Sequence, residues 1–442
     1  MFEAMFRTPD AAARTGRGAW VQAMLDFEAA LARAQARAGL VPEAAAAEIA
    51  AHCRAEEFDH DSLAERAVPS ATPVIGLVAD LGERVAEHAR PHVHRGATSQ
   101  DVLDTAAMLI AKRTLAGVLA DLRGAAEHCA RLSRQHRGTV MIGRSLLQQA
   151  LPTTFGRRCA GWLTALDEAT AALQRVVDER LAVQLGGPAG TLSSLGDQGV
   201  AVLSGLAAEL GLAEPVLPWH TDRTRIAELA GALGSVAGTL GKIALDVELH
   251  AQTEVGELTE GRSGGSSAMP HKQNPAGSVL ITAAAQRTPG LVATLLSAMP
   301  QAHERAAGAW QSEWEPLVEL LRLVAAAASG AERLLGGLQV HPERMRANVE
   351  LTGGLVMAES ASAALAGELG RGPAQQLVKR LCEQAVARGT SLRAELLGDD
   401  EVRAVLSEQD VVAATEPADH LGSAGAFIDR ALARREAGGR PA

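Results

Sequence analysis

Between Ile226 and Val247, apolar side chains recur at alternating steps of three and four residues, the spacing of one buried helix face. The positions are Ile226, Leu229, Leu233, Val236, Leu240, Ile243 and Val247. A second stripe consists of Gly231, Gly234, Gly238 and Gly241. Each glycine inside a helix costs about 1 kcal/mol relative to alanine, so a stripe of them indicates that another helix comes very close. The pattern predicts a helix packed on two faces, at the centre of a bundle or at a subunit interface.

Helical patterns recur along the rest of the chain, and no convincing run of alternating residues indicates a strand. Further helices are expected in the Ala-rich stretch before Cys53, in Leu115 to Cys129, in Trp162 to Leu185, in Leu317 to Leu338 and in Ala374 to Gly389. Aromatic residues make up only 2% of the 442 residues, which favours a core of closely packed Ala, Leu and Val. We predict an all-α fold of three helical domains: residues 1–105, a central long-helix bundle over 106–350, and residues 351–442.

The overall composition excludes several classes of protein. A net charge of -10 argues against a nucleic-acid binder, whose surface carries a basic patch. The four cysteines are scattered and form no CxxC or Cys/His metal pattern, so we expect reduced thiols. The sequence shows neither a Gly-rich phosphate-binding motif nor a ligand cluster, so we expect neither a metal nor a redox cofactor. The N-terminus lacks a signal-peptide core, and the uncharged stretch from Leu229 to Gly241 is shorter than the ~20 residues of a membrane span. These features predict a soluble cytoplasmic protein with no membrane partner.

The segment from Gly264 to Pro275, GGSSAMPHKQNP, carries the strongest sign of chemistry. Its glycines allow a close backbone approach to a ligand, and its prolines exclude a continuous helix or strand. The four residues GGSS alone would also suit a flexible linker. A plain linker has no use for a lysine and an asparagine at fixed offsets behind the serines. We therefore predict a mobile loop that places Ser266 beside a substrate and Lys272 beside an anion.

This loop resembles the signature of the fumarase/aspartase superfamily, Gly-Ser-Ser-x-Met-Pro-x-Lys-x-Asn-Pro, and matches it at every fixed position. The resemblance implies that Ser266 is the catalytic base and that Lys272 belongs to the catalytic group. It also implies substrate contacts from Ser267 and Asn274. The resemblance extends over nearly the whole chain. It implies the three-domain helical organisation and a homotetramer in which several subunits contribute to each active site.

The segment HRGATSQDVLDT, from His94 to Thr105, is similar to the first sequence region of the superfamily. A structural explanation is that Thr98 or Ser99 caps a helix that begins near Asp101. The resemblance implies in addition that Thr98 and Ser99 hold a substrate carboxylate, with His94 as a further substrate contact. Free N–H groups and the helix dipole favour an anion at such a helix start.

The segment GRSLLQQALPTTFG, which ends at Gly156, resembles the second region, usually Gly-Arg-Thr-His-x-Gln. Ser145 and Gln148 would be substrate contacts. The histidine position holds Leu146. In lyases that expel an amine, this histidine is associated with protonation of the leaving group. Because a leucine cannot transfer a proton, the chain departs from those relatives at this position.

The segment His303-Glu304-Arg305 resembles one found in the adenylosuccinate-lyase branch. Arg305 would make a bidentate contact with a carboxylate. His303 is either a catalytic acid or a polar contact. In the segment PWHTDRTR, Arg223 and Arg225 either add positive potential to the site or form structural salt bridges.

Together these segments most resemble a cycloisomerase branch of the superfamily, which closes a tricarboxylate diene to a lactone. One carboxylate would add across a double bond, Lys272 and Asn274 would stabilise the resulting aci-carboxylate, and Ser266 would protonate the adjacent carbon. Leu146 suits this reaction, because a carboxylate with a pKa near ~4 reacts as an anion. The alternatives are an adenylosuccinate-lyase-type C–N lyase, which Leu146 disfavours, and a non-catalytic helical scaffold, in which Ser266 or Lys272 would be dispensable.

Overall fold

The computed structural model describes residues 2–261, 264–265, 269 and 271–438, and this part of the chain is mainly α-helical. The all-α prediction is confirmed. The α-helices are α1 (Pro9–Arg14), α2 (Arg17–Arg37), α3 (Glu43–Ala51), α4 (His60–Ser70), α5 (Val74–Arg84), α6 (Ser99–Gln135), α7 (Phe155–Glu179), α8 (Gly199–Leu210), α9 (Thr224–His250), α10 (Ala276–Ser297), α11 (Trp314–Gly337), α12 (Pro342–Glu350), α13 (Ala358–Leu369), α14 (Arg371–Arg388), α15 (Leu392–Gly398), α16 (Asp400–Arg403), α17 (Glu408–Ala414) and α18 (Ala424–Glu436). Short 3₁₀ helices lie at Phe2–Met5, Ala55–Glu57, Arg90–His92, Ser193–Gln198, Gln311–Glu313, Leu355–Met357 and Pro417–Asp419.

Helix α9 has the buried face that its sequence predicts, since every residue of the seam from Ile226 to Val247 is at most 1% exposed. The glycine stripe explains a close contact with α10. A Cβ at Gly241 would lie 2.8 Å from Ala285 Cβ, and a Cβ at Gly234 would lie 3.2 Å from Val292 Cγ2. Gly231 and Gly238 are exposed, and a Cβ at either would meet no described atom within 4 Å.

The expectation of no strands is wrong in two places. Strand β1 (Val140–Ser145) pairs antiparallel with β2 (Gln148–Thr154), with an irregular register between Ile142 and Arg144. The sequence obscures this hairpin because its two-residue turn lacks the Asn-Gly type of signal and β2 contains a proline. A second, minimal pair joins β3 (Leu258–Thr259) to β4 (Gln339–Val340).

The helix expected over Trp162 to Leu185 ends earlier, at Glu179. Beyond it the chain is extended, and Ala182 forms an isolated parallel bridge with Ala213. The backbone bonds of this bridge run from Val183 N to Ala213 O at 3.1 Å and from Ala213 N to Leu181 O at 2.8 Å. Helical periodicity alone does not show where such a tertiary pairing takes over from the helix.

The chain divides into two compact units, each made of discontinuous segments. The first unit comprises Met1–Arg123, Ala169–Lys242 and Leu280–Ala331, and the second comprises Gly124–Glu168, Ile243–Val279 and Glu332–Ala442. Within the second unit, helices α13 to α17 share one core cluster, formed by Ala361, Leu365, Ala374, Leu377, Val378, Leu381, Leu392, Leu396, Val402 and Val411. The sequence-based domain boundaries at residues 105 and 350 stay a prediction.

Among the described helices, α10 alone has the length and apolar composition of a membrane span. Only 22% of its most apolar window is buried. The helix also carries Arg287 and contains Pro289. A single helix of this kind is weak evidence for a membrane.

Candidate active site

In the first unit, two of the predicted substrate contacts meet. The Nη1 of Arg305 donates a 2.7 Å hydrogen bond to Thr98 Oγ1, just before α6 begins at Ser99. Arg305 Nη2 lies 3.4 Å from Pro188 O, and the buried Nε has no partner among the described residues. A buried donor without a partner is unfavourable, and a guanidinium is suited to a bidentate contact with a carboxylate. The arrangement therefore suits an anion at the start of α6.

Asp101 organises this helix start, a role that the sequence analysis missed. Its buried carboxylate accepts hydrogen bonds from Thr98 N (3.0 Å), Gly186 N (3.0 Å) and Gly187 N (2.9 Å). His220 Nε2 lies 2.7 Å from the same carboxylate. The side chain of Asp101 thereby connects three segments that are far apart in sequence, those of Thr98, of Gly186 and Gly187, and of His220. The only sequence signals were a break at the glycine pair and a histidine in the PWHTDRTR segment.

Glycine is required at two points around Asp101. Gly96 has φ +79°, and a Cβ there would lie 2.6 Å from Leu195 Cδ2. A Cβ at Gly186 would lie 2.7 Å from His220 Cε1. The loop before α6 and the loop after α7 can therefore approach their neighbours only without side chains at these positions.

His94 is paired with a carboxylate that the sequence did not suggest. Its Nδ1 lies 2.7 Å from Oε1 of Glu28 in α2, and Glu28 is only 1% exposed. Burial alone would lower the pKa of His94, but the neighbouring Glu28 charge and hydrogen bond outweigh it and raise the pKa. His94 also has φ +55°, an uncommon backbone conformation for a residue other than glycine.

Arg223 has a structural role rather than a free positive charge. It is buried between two carboxylates, with Nη1 2.8 Å from Asp104 and Nη2 2.5 Å from Glu313. Burial raises the pKa of Glu313, although Arg223 opposes this effect. Arg225 donates from Nη1 to a backbone carbonyl, Arg180 O, at 3.0 Å. Of the two roles predicted for these arginines, the structure supports the salt-bridge role for Arg223, and neither role is shown for Arg225.

His303 is exposed and has φ +48° in the segment between α10 and α11. Left-handed backbone at a residue other than glycine is found preferentially at functional sites. Its catalytic role stays a prediction.

In the second unit, Ser145 and Gln148 are direct cross-strand partners at the end of the β1–β2 hairpin. The turn between them consists of Leu146 and Leu147, with φ +52° and φ +64°. These leucines are 96% and 78% exposed. In the single chain the hairpin turn therefore points the Leu146 side chain into solvent.

The hairpin is anchored by Arg144, which forms a double hydrogen bond with the fully buried Glu257 at 3.0 and 2.8 Å. Glu257 also lies 2.5 Å from His250 Nδ1 and accepts from Asn348 Nδ2 at 2.8 Å. Burial would raise the pKa of Glu257, but the hydrogen bonds from His250, Arg144 and Asn348 lower it to about 2. A fixed negative charge thus holds Arg144, two residues before Leu146.

The signature loop is closed at its base by an antiparallel bridge. Gly264 and Asn274 exchange two backbone hydrogen bonds of 2.9 Å. The buried Glu260 caps α10 by accepting from Gly277 N (2.9 Å) and Ser278 N (2.8 Å). Lys272 is exposed, and its backbone N–H donates to Met269 O at 3.0 Å. The bridge therefore fixes both ends of the loop, and Lys272 lies between them, two residues before Asn274.

The predicted site residues fall into two groups that belong to different units. The first unit holds His94, Thr98, Ser99, His303 and Arg305. The second unit holds Ser145, Gln148, Lys272 and Asn274. Ser266 and Ser267 lie outside the described residues. Within the described part of the chain, no group of three or more His, Cys, Asp or Glu side chains is placed to hold a metal ion.

This fold and these segments define a carboxylate-handling enzyme of the lyase class, and the chain belongs to the fumarase/aspartase superfamily. The profile of the family described as Lyase matches residues 9–290. A second profile, adenylosuccinate lyase C-terminus, matches residues 354–431.

Comparisons with individual proteins narrow the class. The chain is 48% identical over 445 residues to 3-carboxy-cis,cis-muconate cycloisomerase of Pseudomonas aeruginosa, covering 99% of this chain and 96% of the relative. Its structure matches the crystal structure of 3-carboxy-cis,cis-muconate lactonizing enzyme from Pseudomonas putida with a TM-score of 0.95, at 41% identity and 99% coverage of both chains. It is also 45% identical to nitrosuccinate lyase of Streptomyces davaonensis, over 94% of this chain and 90% of that protein.

Proposed function

We propose that this protein is a 3-carboxy-cis,cis-muconate cycloisomerase. It interconverts 3-carboxy-cis,cis-muconate and 4-carboxymuconolactone in the breakdown of protocatechuate. The observation that carries the proposal is the near-full-length likeness, in sequence and in fold, to enzymes of that name. The contact between Arg305 and Thr98 at the start of α6 supports a polycarboxylate substrate, because a guanidinium and a helix N-terminus both favour an anion.

The reaction proceeds by addition of one substrate carboxylate across the neighbouring double bond. Arg305, Thr98 and Ser99 hold another carboxylate of the substrate. Lys272 and Asn274 stabilise the negative charge that develops on the carboxylate attached to the other carbon of this double bond. Ser266 then gives a proton to that carbon, and it removes the proton in the reverse direction. Ser145, Gln148 and Ser267 contact the substrate, and His303 is a further polar or acidic group.

Leu146 fits this chemistry because the group that adds or leaves is a carboxylate. Its conjugate acid has a pKa near ~4, so the group reacts as an anion at neutral pH. A general acid at the position of Leu146 is therefore dispensable. In an amine lyase the leaving nitrogen needs a proton, and the leucine argues against that class.

The direct test is an ultraviolet assay in which purified protein and 3-carboxy-cis,cis-muconate are mixed and loss of the conjugated diene is followed. The product is identified by NMR as the lactone. The assay contains EDTA, since we expect no metal requirement. Turnover that survives chelation supports the proposal. Absence of turnover counts against the proposed function. Activity that returns only with a divalent ion counts against the expectation that no metal is required.

The likeness to nitrosuccinate lyase supports a second candidate function. Elimination from nitrosuccinate would release nitrite, the anion of a weak acid, which also needs no proton before it leaves. Leu146 therefore does not separate the two candidates. They are separated by measuring kcat/KM for both substrates with the same preparation, and we expect the muconate to be preferred. Adenylosuccinate serves as the negative control.

The assembly that we propose is a homotetramer with shared active sites. Gly231 and Gly238 support it, because two exposed glycines in a long helix destabilise α9 unless another chain packs against them. The exposed apolar side chains Val279 and Leu296 of α10 support it as well. A cytoplasmic location fits a catabolic enzyme of this kind. Light scattering of the purified protein tests the assembly, and a fully active monomer would contradict it.

A further inference from the structure

Glu28 is a buried carboxylate with a single described side-chain partner. It is 1% exposed in α2, its Oε1 lies 2.7 Å from His94 Nδ1, and its Oε2 is buried without a partner among the described residues. A buried carboxylate that lacks a counter-charge is strongly unfavourable. A protonated His94 supplies that counter-charge at the shortest available distance. The 2.7 Å contact with Glu28 therefore favours a protonated His94.

The other charges around His94 do not alter this conclusion. Asp101, at the start of α6, also raises the pKa of His94, but its own carboxylate is engaged by Thr98, Gly186, Gly187 and His220. The adjacent Arg95 is directed elsewhere, since its Nη1 donates to Leu40 O at 2.6 Å.

The second ring nitrogen of His94 is available for a ligand. Nε2 has no partner among the described residues, and the side chain keeps 19% exposure. When the ring is charged and Nδ1 donates to Glu28, Nε2 carries the remaining N–H. His94 stands four residues before Thr98, in the loop that leads to the anion-favouring start of α6.

We propose that Glu28 is a positioning residue that keeps His94 protonated, so that His94 Nε2–H donates to a substrate carboxylate at the site of Thr98 and Arg305. The inference rests on the proposed function in that the substrate is a polycarboxylate. Glu28 acts through His94 and does not touch the substrate. Its effect should therefore appear in substrate binding and depend on pH.

The kinetic test compares Glu28→Gln with the wild type between pH 5.5 and 8.5. At a pH between the titration midpoints of His94 in the two proteins, measured as described below, we expect KM of Glu28→Gln to be about tenfold above that of the wild type, the effect of losing a charge-assisted hydrogen bond, with kcat changed less than twofold. The ratio of the two KM values should shrink towards one as the pH falls below both midpoints, where His94 is protonated in both proteins. Glu28→Asp, which retains the charge, should recover part of the affinity.

His94→Gln should raise KM at every pH, and adding Glu28→Gln to it should raise KM no further. A KM ratio that does not vary with pH would overturn the inference.

A measurement independent of turnover separates this inference from the proposed function. The protein is labelled with ¹³C-histidine, and the His94 signal among the 13 histidines is assigned by its loss in His94→Gln. We expect His94 of the wild type to titrate above ~6.5 and that of Glu28→Gln to titrate lower. A wild-type His94 that titrates below this value would refute the pairing, even if Glu28→Gln failed to fold. Raised titration without muconate turnover would support the pairing and count against the proposed function alone. Calorimetry with propane-1,2,3-tricarboxylate, a non-reacting polycarboxylate, should then show that Glu28→Gln binds it more weakly than the wild type at a pH between the two His94 midpoints. This difference should shrink below both midpoints, and an equal difference at the two pH values would contradict the inference.

Discussion

Arg305 and Thr98 are 207 residues apart in the sequence, yet Arg305 Nη1 lies 2.7 Å from Thr98 Oγ1. Each residue was predicted separately as a carboxylate contact, one from the HER segment and one from the ATSQD segment. The hydrogen bond places both at the same end of α6. A guanidinium and a helix N-terminus acting on one carboxylate bind it more firmly than either alone.

The first prediction concerns Arg305→Lys. A lysine keeps the charge but loses the planar fork, so KM for the muconate should rise at least tenfold while the melting temperature stays within ~2 °C. Steady-state kinetics and thermal unfolding measure the two effects. Arg90→Lys is the matched control, because Arg90 is an exposed arginine whose Nε donates to a backbone carbonyl, Gly82 O, at 2.8 Å. Equal effects from both substitutions would show that Arg305 has no special role.

The second prediction concerns the serine pair of the signature loop. Ser266→Ala should reduce kcat by at least ~10², because it removes the group that exchanges the substrate proton. Ser267→Ala is the matched control and should be milder. Circular dichroism should show that both variants are folded. If Ser267 proves to be the intolerant position, the assignment of the base is wrong by one residue.

The third prediction concerns Leu146→His. Lactonisation should become slower, since a partly charged imidazole can pair with the attacking carboxylate or protonate it. Leu146 is 96% exposed in the single chain, and histidine adopts positive φ more readily than leucine, so stability should change by less than ~0.5 kcal/mol. Turnover and melting temperature of the variant and the wild type provide the test. A clear gain in rate would mean that the site lacks an acid, contrary to our explanation of Leu146.

The fourth prediction concerns Glu257, whose pKa is lowered from 4.5 to about 2. A lowered carboxylate pKa adds stability above the unfolded-state value and loses it as the pH falls. The contribution, about 3 kcal/mol, should therefore be complete above pH ~4.5 and disappear towards pH ~2. Urea unfolding of wild type and Glu257→Gln should give stabilities that differ at pH 7 and converge as the solution is acidified. Glu359→Gln, at an exposed glutamate of the same unit, should leave the wild-type profile unchanged. A constant difference between wild type and Glu257→Gln would contradict this assignment.

The fifth prediction tests the shared active site of the proposed homotetramer. Ser266→Ala and Gln148→Ala should each be nearly inactive. Unfolding the two variants together and refolding them should restore part of the activity, because hybrid tetramers can assemble sites that contain both intact residues. Each variant refolded alone is the control. Mixed tetramers that remain as inactive as the separate variants would argue that each chain builds its own site.

The sequence was informative where the physical cause is local. The period of apolar residues determined α9, because a helix with one buried face must repeat that spacing. The loop from Gly264 to Pro275 was recognisable because its glycines, prolines and polar residues constrain the backbone within a few positions. The β1–β2 hairpin escaped notice because its Leu-Leu turn has left-handed backbone, which costs about 1–2 kcal/mol per residue and is rarely built from leucine.

By itself, the sequence determined a helical chain of the fumarase/aspartase type, and it predicted carboxylate contacts in separate segments. Only the tertiary structure decided which side chains meet. Asp101 joins loops about 85 and 119 residues away, and Glu28 pairs with His94 across 66 residues. Arg223 proved to be buried between Asp104 and Glu313. The reason is physical: periodicity records how one segment faces the core, whereas hydrogen bonds and ion pairs between distant segments depend on where folding brings those segments together.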